Sequence, residues 1–158
     1  MAKAYAQTAG KGWTVPAFFA DQGDGAWDFS YVDSNVSDGI ATITINRPEA
    51  MNALNVLVIG QLTEAVAAAN ADDTVHTIVL DGAGKAFVAG ADVKFFVDKI
   101  RADAIPDIYD FTADGHDLLN MLENSSKTTV ALTTGLALGG GLELALACDY
   151  RIGTRRTQ

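Results

Sequence analysis

A chain of 158 residues can bury one real hydrophobic core, and an apolar fraction of 49% with a mean hydropathy of +0.14 excludes a disordered composition. Asp and Glu total 20 against 11 Lys and Arg, a formal charge of −9, which argues against a nucleic-acid or anionic-membrane surface because both need clustered positive charge. One cysteine excludes an internal disulfide, and one cysteine with two scattered histidines, His76 and His116, gives no ligand set for a metal.

Residues 1–27 carry no sustained period and are punctuated by Gly10, Gly12, Pro16, Gly23 and Gly25, so they read as an N-terminal arm or inter-domain linker. Trp13, Phe18, Phe19 and Trp27 are aromatic enough for part of that arm to dock on a surface. The opening "MAKAYAQTAGKGWTVP" lacks the apolar stretch of a signal peptide, and no apolar run is long enough to span a bilayer. A cytoplasmic protein is the expectation. From Trp27 the pattern alternates: Trp27, Phe29 and Tyr31 share one strand face, and Ala41, Ile43 and Ile45 repeat it. The intervening "VSDG" is a turn signal, so the two strands should form a hairpin.

Pro48 in "NRPEAMNALN" breaks the second strand. Leu54, Leu57 or Val58, Leu62, Ala65 or Val66 and Ala69 then recur at helical spacing. "HTIVLDG" reads as a short apolar strand ending at Gly82, "GAGKAFVAGAD" as a glycine-rich loop, and Val93 to Ile100 as a short helix. Pro106 suits the first turn of the next helix, whose inner face carries Ile108, Phe111, Gly115, Leu118 and Leu122. "TTVALTTG" is another strand, the triplet Gly139 to Gly141 forms an elbow, a helix runs from Gly141 to Ala147, and "YRIGT" begins a last strand. The order β-β-α-β-α-α-β-α-β predicts an α/β fold with mainly parallel pairing.

The elbow has the makings of an anion site. A strand, a glycine turn and a helix N-terminus aim free N–H groups and a partial positive charge at one point. A phosphate-cradling loop would need Lys and Ser or Thr after the last glycine, where Leu142 stands. The dinucleotide fingerprint begun at Gly135 would need glycine at Ala137. Two readings of Glu143 follow. Either the glycines only let a helix pack closely and Glu143 faces water, or the carboxylate lies among the apolar residues of "LELALA", which is costly unless it is paired or serves chemistry. A second elbow, "FVAGAD" after another strand, favours the latter. Cys148, in "LALACD", reads as a buried, inert thiol.

"NRPEAMNALN", "KAFVAGADVK" and "GLALGGGLELALACDYRI", in this order, resemble the enoyl-CoA hydratase/isomerase (crotonase) superfamily from about residue 28 to the last residue. The resemblance implies a crotonase-like spiral of β-β-α units, C-terminally incomplete, with residues 28–158 as the N-terminal part of the domain. It implies trimers or trimer pairs, hence a homo-oligomer. The implied activity is that of an enoyl-CoA hydratase, a lyase of fatty-acid β-oxidation acting on acyl-CoA thioesters. No cofactor is implied, coenzyme A being part of the substrate. The family pattern places the two oxyanion-hole N–H groups at Ala89 and Gly140, and the first catalytic glutamate at Glu143. The second glutamate falls in a loop after the strand that begins at Tyr150, beyond Gln158. This implies the front part of a module: an engineered piece, a proteolytic fragment or a natural short form. Glu64 and Glu123 read as solvated helix residues, and Glu49 as part of the turn after Pro48.

The resemblance further implies that backbone at Ala89, Ala91 and Val93 meets the adenine, and that Gly139 and Gly140 contact substrate. Lys94 either reaches a CoA phosphate or is simply solvated. Asp92 matches the family's Gly-Ala-Asp and caps the following helix. Asp149 fixes the chain locally. "GKGWTVPAFF" with "WDFSYV" resembles the join in archaeal-type bifunctional proteins, where a 3-hydroxyacyl-CoA dehydrogenase precedes the hydratase. The alternatives are an isomerase or thioester hydrolase of the same fold, or a non-catalytic assembly fragment.

Overall fold

The computed structural model describes residues 30–158, so the arm, Trp27 and Phe29 lie outside the described residues. The hairpin forms as its sequence predicts. Strand β1 (Val32–Ser37) pairs antiparallel with β2 (Ile40–Ile45). Asp38 and Gly39 both take positive φ, 52° and 77°, the backbone that a two-residue turn needs to match the twist of its strands. The alternation along β2 turns Ala41, Ile43 and Ile45 fully inward.

Every later pairing is parallel, which needs a crossover each time. Helix α1 (Val56–Ala71) makes the first, capped by the Asn55 side chain, which accepts from the Val58 N–H at 2.9 Å. Strand β3 (Thr77–Gly82) lies beside β2. After β4 (Ala86–Ala89), helix α2 (Val93–Arg101) and helix α3 (Ile105–Glu123) the chain returns as β5 (Thr128–Thr133), beside β3. Strand β6 (Leu136–Leu138) and helix α4 (Gly140–Ala147) lead to β7 (Tyr150–Gly153) at the edge. The main sheet has the order β1-β2-β3-β5-β7, while β4 and β6 form a small parallel sheet. The core lies between the main sheet, with Ile43, Ile78 and Leu80, and the inner stripe of α1, with Val58, Leu62 and Val66. From α3, Phe111, Leu118 and Leu122 join it, three of the five inner positions its spacing marks.

Two expectations are corrected. "GAGKAFVAGAD" is not wholly loop, since its centre is β4. The glycine triplet does not follow β5 directly, because β6 intervenes and the helix already begins at Gly140. The turn after β5 is made by Gly135, with φ of +82°, where an added Cβ would stand 1.9 Å from the Lys85 carbonyl oxygen. That close approach carries the chain across to β4.

Candidate active site

Three backbone segments converge at the ends of β4 and β6. The first is the loop of "NRPEAMNALN", where Pro48–Ala50 form a single 3-10 turn and Met51 and Asn52 take left-handed φ of 51° and 57°. Asn52 is wholly buried, and its side chain explains how such a turn persists. Its Oδ1 accepts from the Arg47 N–H at 2.9 Å, and its Nδ2 donates to the carbonyls of Ala83 and Ala86 at 2.9 and 2.8 Å. The loop is thereby fastened to the start of β4.

The second segment is the elbow after β4. The Ala89 N–H donates to the Met51 carbonyl at 3.1 Å, so it is already spent within the protein. This corrects the expectation that Ala89 supplies an oxyanion donor. One step on, Leu54 and Ala91 form a parallel bridge. The Leu54 N–H donates to the Gly90 carbonyl at 2.8 Å, and the Asp92 N–H donates to the Leu54 carbonyl at 2.7 Å. Leu54 thus engages the groups on either side of Ala91, and a parallel bridge of this kind turns the N–H of Ala91 itself to the opposite side.

The third segment is the start of α4, where each glycine of the triplet meets a different constraint. Gly139 has φ 48° and ψ −123°, a conformation strained for any L side chain. A Cβ on Gly140 would lie 3.0 Å from Leu54 Cδ1 and 4.0 Å from Glu143 Oε2, so the carboxylate sits over this residue. A Cβ on Gly141 would lie 2.1 Å from the Val88 carbonyl oxygen, so this glycine sets how closely α4 packs on β4. The first intrahelical bond is Glu143 N–H to Gly139 O at 3.0 Å, which leaves the preceding N–H groups without an intrahelical partner.

Ala91, Gly140 and Glu143 line one cavity of about 270 Å³. Leu54, Ile59 and Leu144 make its floor apolar, and α3 supplies Phe111, Thr112, Gly115 and His116 on the other wall. His116, read from sequence as isolated, therefore belongs to the cavity. The signal that could have found it is the recurrence of Thr112, Gly115, His116 and Leu119 on one helical face. Glu143 is exposed rather than buried in an apolar pocket, because its neighbours Leu142 and Leu146 point outward with it. Glu64 also departs from expectation. It is half-buried on α1, and burial pushes its carboxyl up to about 7.

The remaining candidates are not among the residues that line the cavity. Asp92 caps α2, its Oδ1 accepting from the Lys94 N–H at 3.1 Å. Val93 is exposed. Lys94 is exposed and its ammonium is paired with Asp98 one turn on, which raises it above the ordinary lysine range. Asp149 reaches back to β5, where its Oδ2 accepts from the Thr129 N–H at 2.8 Å and hydroxyl at 3.0 Å. Cys148 is buried, and burial pushes its thiol up to about 11. Among the described residues no cluster of three or more His, Cys, Asp or Glu could hold a metal, and no helix is long and apolar enough to cross a membrane.

Comparison with known proteins places this geometry in context. Residues 40–158 match the family model described as enoyl-CoA hydratase/isomerase. A crotonyl-CoA hydratase of Syntrophomonas wolfei is 41% identical over 114 residues, 72% of this chain and 42% of that protein. A peroxisomal fatty acid beta-oxidation multifunctional protein of Oryza sativa is 38% identical over 122 residues, 77% of this chain and 16% of that one. Among solved structures, an enoyl-CoA hydratase of Bacillus halodurans superposes with a TM-score of 0.77 at 29% identity, covering 81% of this chain and 51% of its own. The chain spans about two fifths of the length of the Syntrophomonas relative.

Proposed function

The chain belongs to the enoyl-CoA hydratase/isomerase family, and from that premise we propose that the intact protein carrying it adds water across the double bond of a 2,3-unsaturated acyl-CoA. The observation that carries this reading is the meeting of Ala91, Gly140 and Glu143 on one cavity. In this reading the thioester carbonyl oxygen lies between the N–H groups of Ala91 and Gly140. As the hydroxyl of water bonds to the β-carbon, the π electrons move toward that oxygen as an enolate, and a proton then joins the α-carbon. Two N–H donors facing the developing charge would each contribute roughly 3–4 kcal/mol, judged from the loss of one such donor elsewhere. Gly140 opens α4, whose dipole adds to the same field.

Glu143, beside Gly140, is the general acid/base that holds the water. It is the one carboxylate on the cavity among the described residues. The reaction needs no cofactor beyond the coenzyme A of the substrate. Residues 28–158 serve as the N-terminal part of the catalytic domain and residues 1–27 as an arm or linker. Leu142 and Leu146 on the outside of α4, with Tyr150 and Ile152 on β7, are exposed apolar residues that support a homo-oligomer.

The test is loss of enoyl-thioester absorbance with crotonyl-CoA. Glu143→Gln should lower turnover by ~10²–10⁴-fold while moving KM much less, because proton transfer and binding act separately. Turnover of Glu143→Gln within twofold of the parent would remove Glu143 from the chemistry.

A further inference from the structure

The motif "NRPEAMNALN" has no part in the chemistry above, yet its arginine reaches the elbow. We propose that Arg47 is a positioning residue for the N–H of Ala91, acting through Asp92, a role that rests on the function proposed above. The Arg47 guanidinium holds two strands of chain at once. Its Nη1 donates to the Ala53 carbonyl at 3.0 Å, and its Nη2 pairs with Asp92 Oδ2 at 2.8 Å. Ala53 immediately precedes Leu54, and Asp92 immediately follows Ala91. The arginine therefore ties together the residues that flank the Leu54–Ala91 bridge.

What that bridge controls is a direction. The Gly90 carbonyl and the Ala91 N–H belong to one planar peptide unit and point opposite ways. Holding the Gly90 carbonyl on the Leu54 N–H at 2.8 Å therefore aims the Ala91 N–H away from Leu54. Gly90, with φ of +88°, gives this unit no stiffness of its own. On the other strand, Met51 and Asn52 hold left-handed backbone that non-glycine residues seldom adopt. The Gly90 side of the bridge therefore needs an external hold, and on the Leu54 side Arg47 adds to the hold that the Asn52 side chain already supplies.

Arg47 is built into that place at a cost. Its side chain is 15% exposed and that of Asp92 20%. Arg47 Nε is buried without a hydrogen-bond partner among the described residues, with Glu49 Oε1 at 3.9 Å. The guanidinium also lies 5.5 Å from the centre of the Tyr31 ring. A lysine would keep the charge but not the fork that reaches Ala53 and Asp92 together.

The experiment uses Arg47→Gln, Arg47→Lys, Asp92→Asn and the double variant Arg47→Gln/Asp92→Asn in the intact protein. Asparagine at 92 keeps an acceptor for the Lys94 N–H, since it caps helices as well as aspartate does, and replaces the oxygen facing Arg47 with an amide NH2, which removes the charge and that acceptor together. Two readouts are taken: kcat and KM with crotonyl-CoA, and hydrogen exchange of the elbow peptide against that of β3 without ligand. Arg47→Gln and Asp92→Asn should each lower kcat by roughly 10–100-fold, short of the ~10²–10³ for losing a donor outright, with KM moving less. Arg47→Lys should not restore the rate. The double variant should be no worse than the worse single one, as expected for two groups acting through one contact. Elbow exchange should quicken while β3 stays protected. Unchanged kcat and elbow exchange in Asp92→Asn, or faster exchange in β3 and elbow alike, would overturn the proposal. If Arg47→Gln fails to fold, Asp92→Asn decides alone. If the parent protein does not hydrate enoyl-CoA, the enzymatic reading fails, and the exchange comparison still tells whether Arg47 and Asp92 hold the elbow.

Discussion

Alanine in place of Gly141 should lower stability and alanine in place of Gly115 should not, although both glycines lie inside helices. On propensity alone each substitution would gain up to about 1 kcal/mol. The neighbours decide the sign. At Gly115 the new methyl meets only Ile59 Cδ1 at 3.7 Å, an ordinary contact. At Gly141 it would lie 2.1 Å from the Val88 carbonyl oxygen and 2.7 Å from Val88 Cβ. Reaching even 3.0 Å needs a displacement of about 0.9 Å, and the atom met first is strand backbone that cannot rotate aside. Overpacking of this kind costs about 1–3 kcal/mol or more, which exceeds the propensity gain. Gly141→Ala should therefore lower the urea midpoint, while Gly115→Ala should leave it unchanged or raise it, both at constant m-value. The outward step of α4 also carries Gly140 and Glu143 with it. A misplacement near 1 Å can cost ~10²-fold in rate, so turnover of the intact protein should fall well beyond the loss of folded fraction. A Gly141→Ala protein as stable and active as its parent would refute the claim that this glycine sets the spacing of helix and strand.

Asn55→Ala removes the acceptor for the Val58 N–H at the start of α1 and should cost about 1 kcal/mol, read from urea unfolding. Glu64 gives a pH signature: its folded carboxyl is raised to about 7, so the folded state holds this proton more tightly than the unfolded chain does. The stabilisation is full below the ordinary value of 4.5 and is lost as pH rises through about 7. Glu64→Gln should narrow the difference in urea midpoint between about pH 5 and about pH 8, and an undiminished difference would exclude Glu64 as its source. Cys148, buried with its thiol pushed up to about 11, should react with a thiol reagent only as fast as the protein opens, so urea should accelerate labelling in step with unfolding. Rapid labelling of the native protein would contradict that burial.

Local pattern and local turn chemistry carried most of the fold. The alternation of Ala41, Ile43 and Ile45, the Asp38–Gly39 turn and the spacing of Val58, Leu62 and Val66 are properties of consecutive residues, and each appears where its sequence predicts. What sequence could not supply is whatever a distant segment decides. Strands β4 and β6 are four and three residues long and become strands only by pairing with each other. Glu143 looked buried because its neighbours in sequence are apolar, but a helix turns those neighbours apart. Leu144 and Ala145 face the core while Leu142, Glu143 and Leu146 face out.

The choice between Ala89 and Ala91 follows the same rule at finer scale. Both are alanines flanking Gly90, and their side chains do not distinguish them. Met51 takes the N–H of the first, and Leu54 takes the groups on either side of the second. Both Met51 and Leu54 belong to a loop some forty residues earlier in the chain. The motif therefore locates the elbow in sequence, while the hydrogen bonds that loop makes determine which N–H is already spent within the protein. In the proposed reading the clamp on that loop, Arg47, therefore bears on the chemistry although its own side chain is not among the residues that line the cavity.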